Sequence, residues 1–258
     1  MLFGVCGGPD IGTVAAKSGY DYYEMTVGSL LKPLENETAF QEALKSAQAA
    51  GIPCQAVNVF VPGHLKITGP QVGRQALRQY AATACRRAEG AGVKVIVFGS
   101  GPARQVPDGF PRDAAWEQLV DFCNMLGPLA LTHGVTIAIE PLNRGDCNVL
   151  TSVGEGARLA RQVDHPAIRL LVDSYHWAKD GDSFEDLVQA GPLLAHAHIA
   201  TLANRRPPGA EAYDFTRFFE ALRLSGYDGR ISIEGQIEDA SAELPAALDI
   251  LMHYAAST

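Results

Sequence analysis

No two cysteines in this chain are spaced as C-x-x-C, and the total of five (Cys6, Cys54, Cys85, Cys123 and Cys147) is odd. That disfavours a disulfide framework. Cys6 and Cys54 lie in apolar strand-like runs, and Cys85 and Cys123 in helix-like ones, the placement of reduced and mostly buried thiols. No apolar run reaches the roughly 18–20 residues of a membrane span. The opening MLFGVCGGPD is apolar but has no basic stretch before it and is broken early by glycine, so it does not read as a signal peptide. Long basic runs are missing too. The densest clusters are Arg86-Arg87 and Arg205-Arg206, and 21 basic against 29 acidic residues leave a formal charge of −8. Such a chain is poorly suited to non-specific binding of nucleic acid or anionic membrane. Linkers, low-complexity segments and charge blocks are also lacking. The expectation is one soluble, cytoplasmic domain covering residues 1–258, with neither nucleic acid nor membrane as partner.

What is present is an alternation. With 47% hydrophobic residues over 258 positions, the chain can bury a sizeable core. Short apolar, often β-branched runs at 2–6, 20–25, 53–60, 94–98, 135–140, 168–173, 194–199 and 230–234 read as strands buried on both faces. Helix-like stretches separate them at 11–18, 37–50, 71–90, 113–132, 152–162, 183–190, 214–225 and 241–255. Gly51 is placed to end the second of these, and Thr151 or Ser152, Asp182 or Ser183, and Asp214 are placed to cap others. Eight strand–helix units of about 32 residues each fit an α/β fold, a single (β/α)8 TIM barrel, whose usual length is ~250 residues. An open doubly wound sheet is the alternative. The lack of a G-x-G-x-x-G fingerprint counts against it.

Four of the apolar runs close on a charged or imidazole side chain: Glu140 in VTIAIE, Asp173 in IRLLVD, His198 in LLAHAH and Glu234 in RISIE. A charge at the end of a buried strand is costly unless it is paired or used. The four are 33, 25 and 36 residues apart, one strand–helix repeat each time, so in a barrel their side chains can meet at one mouth. Three carboxylates and an imidazole suit one divalent metal ion such as Mn²⁺, Mg²⁺, Co²⁺ or Zn²⁺. Asn143, Arg144 and Asp146 follow Glu140, His176 follows Asp173 by three residues, and Asn204-Arg205-Arg206 followed by Pro-Pro-Gly lies in the seventh loop. Arginines in such a loop are suited to an anionic or polyhydroxy substrate. Glu24, His64 and Lys66 are placed to line the same mouth.

The motifs IEPLNR, VDSYH, HAHIA with NRRPPG, and SIEG, together with the weaker GYDYYEM, VNVFVPG and VIVFGSG, resemble those of the xylose isomerase-like barrel superfamily. Within it they resemble the sugar and sugar-phosphate isomerase/epimerase branch that contains the ketose 3-epimerases and hydroxypyruvate isomerase. The resemblance implies a mononuclear divalent metal, often Mn²⁺, held by Glu140, Asp173, His198 and Glu234. It also implies that Glu140 and Glu234 act as the acid/base pair on a carbohydrate-like small molecule, and that His176 and Arg205 bind substrate oxygens. Asp146 stands where the epimerases carry a glutamate, and the seventh loop is one residue longer before its Asn-Arg-Arg. The reaction so implied is proton abstraction next to a carbonyl through a metal-stabilised enediolate. A homo-oligomer is implied by resemblance alone. The alternatives are a hydroxypyruvate-type isomerase, an endonuclease IV-like phosphodiesterase and a sugar-binding barrel without catalysis. The phosphodiesterase needs more histidine ligands than seven His in all are placed to supply.

Overall fold

A strand with no polar face must be covered on both sides, and eight short apolar runs separated by helices achieve this by closing on themselves. In the computed structural model, which describes residues 1–256, β1 (Leu2–Cys6), β2 (Tyr22–Thr26), β3 (Cys54–Asn58), β4 (Val95–Phe98), β5 (Thr136–Ile139), β6 (Ile168–Asp173), β7 (Leu194–Ile199) and β8 (Arg230–Ile233) pair in parallel. They follow chain order, and β1 pairs with β8 to complete a (β/α)8 barrel. The larger core lies between the strands and the surrounding helices. Among the described residues no helix is long and apolar enough to cross a membrane.

The interior of the barrel is divided. Tyr22, Ala56, Val95, Val97, Ala138 and Leu171 form a separate apolar cluster. Glu24, His196, His198 and Ser232, contributed by β2, β7 and β8, are equally buried and wholly polar. Gly4 makes the division possible: a Cβ there would lie 2.4 Å from ring atoms of Tyr22, whose side chain crosses the barrel at that level.

The strand positions agree with expectation, with small shifts at the ends. β2 starts at Tyr22 rather than residue 20, and β3 stops at Asn58 because Val59 turns into the left-handed region at φ +51°. The helix Glu37–Gln48 is capped by Asn36, whose side chain accepts from the Ala39 N–H at 3.0 Å. It ends before Gly51, so Gly51 (φ +86°) is not its cap as the sequence suggested but turns the chain toward β3. Ser152 and Ser183 cap Val153–Val163 and Phe184–Gln189, and Asp214 accepts from the Thr216 N–H at 2.9 Å. Three short α-helices were not expected: Val27–Leu30, Gly101–Arg104 and Ser174–Lys179. Each sits just past a strand end, where it fixes the start of a loop at the mouth.

Candidate functional site

Glu140, Asp173, His198 and Glu234 come together at the C-terminal ends of β5 to β8. One donor atom from each lies within 4.8 Å of every other. Register explains the convergence. Asp173 and His198 are direct neighbours across β6 and β7, and His198 faces Ser232 on β8, two residues before Glu234. His198 Nδ1 is 3.3 Å from Glu140 Oε1 and 3.3 Å from Glu234 Oε2. Neither contact has hydrogen-bond geometry, and Nδ1 and Glu140 Oε1 are buried without a partner. Two buried lone-pair donors aimed at one point, with two more carboxylates around it, fit a divalent cation.

Each of the four is held from behind. Glu140 follows a strand whose end is tied by Arg104, a fully buried guanidinium that donates to the Phe98 carbonyl at 3.0 Å and the Glu140 carbonyl at 2.8 Å. Gly99 leaves room for the Glu140 carboxylate, since a Cβ at Gly99 would lie 2.2 Å from Oε2. Asp173 divides its oxygens. Oδ1 caps the helix Ser174–Lys179 by accepting from the Tyr175 N–H at 2.9 Å, while Oδ2 faces Arg205 Nη2 at 3.1 Å and His176 Nε2 at 3.5 Å. Glu234 Oε1 accepts from Asn58 Nδ2 at 3.2 Å, and Oε2 accepts from Arg205. His198 Nε2 is 3.1 Å from Glu24 Oε1.

The flanking residues expected from sequence are also present. His176 Nδ1 takes the Asn143 backbone N–H at 3.2 Å and the Asn143 side-chain amide at 2.8 Å, so it is the acceptor nitrogen and the proton sits on Nε2, toward Asp173. Asp146, exposed at the rim, accepts from Asn143 Nδ2 at 2.5 Å. Arg205 has φ +52°, and its guanidinium lies 4.7 Å over the Tyr175 ring. A cleft of about 250 Å³ is lined by Asn58, Glu140, Asp146, His176, Arg205 and Glu234 among others. Other residues fall elsewhere. Lys66 donates to the Pro102 carbonyl at 3.0 Å, His64 is exposed, and Arg206 pairs with Glu238 and Glu243 away from the cleft.

Burial raises the pKa of Glu140 and of Asp173 against the opposing pull of neighbouring cations. Burial acts the same way on Glu234, but His198 and Arg205 outweigh it and the pKa is lowered. Burial would lower His198, yet Glu24 and Glu234, with Glu140 beside them, raise it well above the ordinary imidazole value. Burial lowers the pKa of His176 against the opposing pull of Asp173. Two glutamates a few ångströms apart are thus pushed in opposite directions, a pattern suited to proton transfer.

Sequence reasoning missed two contributors, Asn58 and Ser232, and misplaced a third. Glu24 was expected at the mouth but lies fully buried beneath it. Asn58 and Ser232 carry no charge to mark them, and only their interruption of apolar strands could have done so.

The family model described as xylose isomerase-like TIM barrel matches residues 13–253. The D-psicose 3-epimerase of Agrobacterium fabrum is 33% identical over 116 residues, 45% of this chain and 40% of that protein. The L-ribulose 3-epimerase of Methylomonas sp. (strain DH-1) is 27% identical over 228 residues, 85% of this chain and 75% of that protein. The chain thus spans under half the length of the Agrobacterium epimerase it matches. A solved D-psicose 3-epimerase, determined in the presence of D-fructose, has the same fold with a TM-score of 0.85 at 19% identity, covering 99% of each chain.

Proposed function

The chain belongs to the xylose isomerase-like TIM barrel family, and from that membership we propose that it is a metal-dependent isomerase or epimerase of a small sugar, sugar phosphate or hydroxy-keto compound. The observation that carries the reading is the convergence of one imidazole and three carboxylates from four consecutive strand ends on one cleft. The relatives' names, D-psicose and L-ribulose 3-epimerase, favour a ketose.

The chemistry to be performed is removal of a proton from a carbon next to a carbonyl. Glu140, Asp173, His198 and Glu234 would hold one divalent cation, Mn²⁺ before Mg²⁺, Co²⁺ or Zn²⁺. Such a cation, when bound, would supply electrostatic stabilisation of the negative charge that develops on the substrate as the proton leaves. Glu140 and Glu234 stand three strands apart around the barrel, so they approach the cleft from different sides. One takes the proton from one face of the substrate, and the other gives a proton back. Return to the opposite face of the same carbon is epimerisation, and return to the neighbouring carbon is aldose–ketose isomerisation. His176 offers its Nε2–H to a substrate oxygen, and Arg205, whose guanidinium lies over the Tyr175 ring, offers its N–H groups to another. Asp146 at the rim accepts from a substrate hydroxyl.

The deciding experiment is solvent deuterium incorporation into a panel of ketoses, ketose phosphates and hydroxypyruvate, followed by NMR with Mn²⁺ and then with EDTA. The expected result is exchange at one carbon next to the carbonyl, abolished by EDTA. Glu140→Gln and Glu234→Gln should each lower turnover by about 10²–10⁴-fold with the melting temperature kept within a few degrees. Near-normal turnover in both variants would sink the acid/base assignment.

A further inference from the structure

Glu24 is fully buried, carries a charge, and is not one of the four residues that converge on the cleft. Its surroundings are unusually complete. Oε1 faces His198 Nε2 at 3.1 Å, and Oε2 faces His196 Nε2 at 2.9 Å while accepting from the Ser232 hydroxyl at 2.7 Å. The Tyr22 hydroxyl is 2.8 Å from the same Ser232 oxygen. Because Ser232 spends its one proton on Glu24, Tyr22 must donate to Ser232, and the chain of donors runs in one direction, from Tyr22 through Ser232 to Glu24. A carboxylate that takes three donors in a dry interior is held as an anion and in one place.

The consequence falls on His198. Its Nε2 side is closed by a fixed anion, so when the ring gives up a proton to bind a cation it is Nε2 that keeps its own. The lone pair is then on Nδ1, the atom that lies 3.3 Å from both Glu140 and Glu234. We propose that Glu24 is a positioning residue that sets both the orientation and the tautomer of His198, so that Nδ1 is presented to a divalent cation in the cleft. The inference rests on reading Glu140, Asp173, His198 and Glu234 as the residues that hold that cation. It treats Tyr22 and Ser232 as the support that keeps Glu24 from turning.

Cys6, Glu24 and His198 also bring donor atoms within 4.8 Å of one another, which raises a competing role as a second cation site. The hydrogen bonds argue against it. Both Glu24 oxygens are already engaged, and His198 Nε2 cannot keep its proton for Glu24 and ligate as well. One site, with a carboxylate behind its imidazole, accounts for all the contacts.

The test is titration of the metal-stripped full-length protein with Mn²⁺ by calorimetry, comparing wild type with Glu24→Gln and Ser232→Ala. Glu24→Gln keeps the shape and an acceptor oxygen but removes the charge. It should weaken Mn²⁺ binding by about 10–100-fold with circular dichroism unchanged. Ser232→Ala leaves His198 untouched and removes only a support, so a loss of about threefold is expected, and it serves if Glu24→Gln does not fold. In ¹⁵N-histidine spectra of the Zn²⁺-loaded wild type, His198 should show a protonated Nε2 and a ligated Nδ1. Wild-type binding of one Mn²⁺ with equal affinity in a folded Glu24→Gln, or a ligated Nε2, overturns the inference and leaves the metal reading intact. If Glu24→Gln does not fold, undiminished affinity in Ser232→Ala overturns it. Failure of the wild type to bind Mn²⁺ at all overturns the metal reading, and the inference with it.

Discussion

A single methyl group at position 99 is enough to disturb the cleft, because the Glu140 carboxylate occupies the space that a Cβ there would need. The approach is 2.2 Å to Oε2 and 3.3 Å to the carboxyl carbon. Gly99→Ala is therefore expected to displace Glu140 and weaken Mn²⁺ binding at least about tenfold, at an overpacking cost of about 1–3 kcal/mol. Calorimetric titration and thermal melting check the two parts separately, and unchanged affinity would show that Glu140 can move without loss. The same crowding explains which residues were legible beforehand. Glu140, Asp173, His198 and Glu234 could be read because a charge ending a buried strand has few bland explanations, and four at one period have fewer. Glu24 sits at the third of five positions in β2, inside the strand rather than at its end. It therefore points into the barrel beneath the mouth, a difference of one or two residues that no periodicity resolves. Gly99 could be read as a tight turn but not as the socket for a side chain 41 residues away.

At the scale of elements, strain collects where strands become loops. Val59, Ser100, Leu150 and Arg205 all take positive φ at or near the C-terminal side of the barrel. Val59 is the costliest, since a β-branched side chain at φ +51° is crowded by its own backbone. It is 57% exposed, so little packing compensates locally. Val59→Gly should raise stability by about 1 kcal/mol, or about 2–4 °C in melting temperature for a chain of this size. A higher melting temperature together with a raised KM would place Val59 in contact with substrate, as its position on the cleft wall suggests. A lower melting temperature would mean the strain is repaid by contacts around residues 58–62. Strands and long helices were foreseeable from their periods, even Arg112–Thr132 with Pro128 inside it. The helices Val27–Leu30, Gly101–Arg104 and Ser174–Lys179 were not, being four to six residues long, too short for a 3.6-residue period to show. Two of them bear directly on the site: Asp173 caps one, and Arg104 ends another and ties β4 to β5.

Across the whole molecule, three buried thiols and four buried phenols outside the site share one sign of effect. Burial pushes Cys54, Cys85 and Cys123 up to about 12, and it holds the phenols of Tyr20, Tyr23, Tyr80 and Tyr227 above their ordinary range. In the unfolded chain the same thiols lose their protons near pH 8.5. Between that pH and about 12 the folded state therefore holds more protons than the unfolded one, and stability must fall as pH rises. Below about pH 8.5 the contribution is complete. Above it each thiol removes on the order of 1 kcal/mol per pH unit, and the phenols join near pH 10. Urea unfolding of the reduced protein should thus give level midpoints from pH 7 to 8 and a steady decline from pH 9. A native-state thiol reagent at pH 8 should leave these three cysteines unmodified until urea is added. Rapid labelling of all five cysteines in the folded state, or midpoints that stay level to pH 10.5, would contradict the burial on which the argument stands. The five free thiols were expected as reduced from their count and spacing, but burial is what protects Cys54, Cys85 and Cys123, and it follows from closure of the barrel and its helical cover, since Cys85 and Cys123 are buried residues of the helices Arg74–Ala91 and Arg112–Thr132.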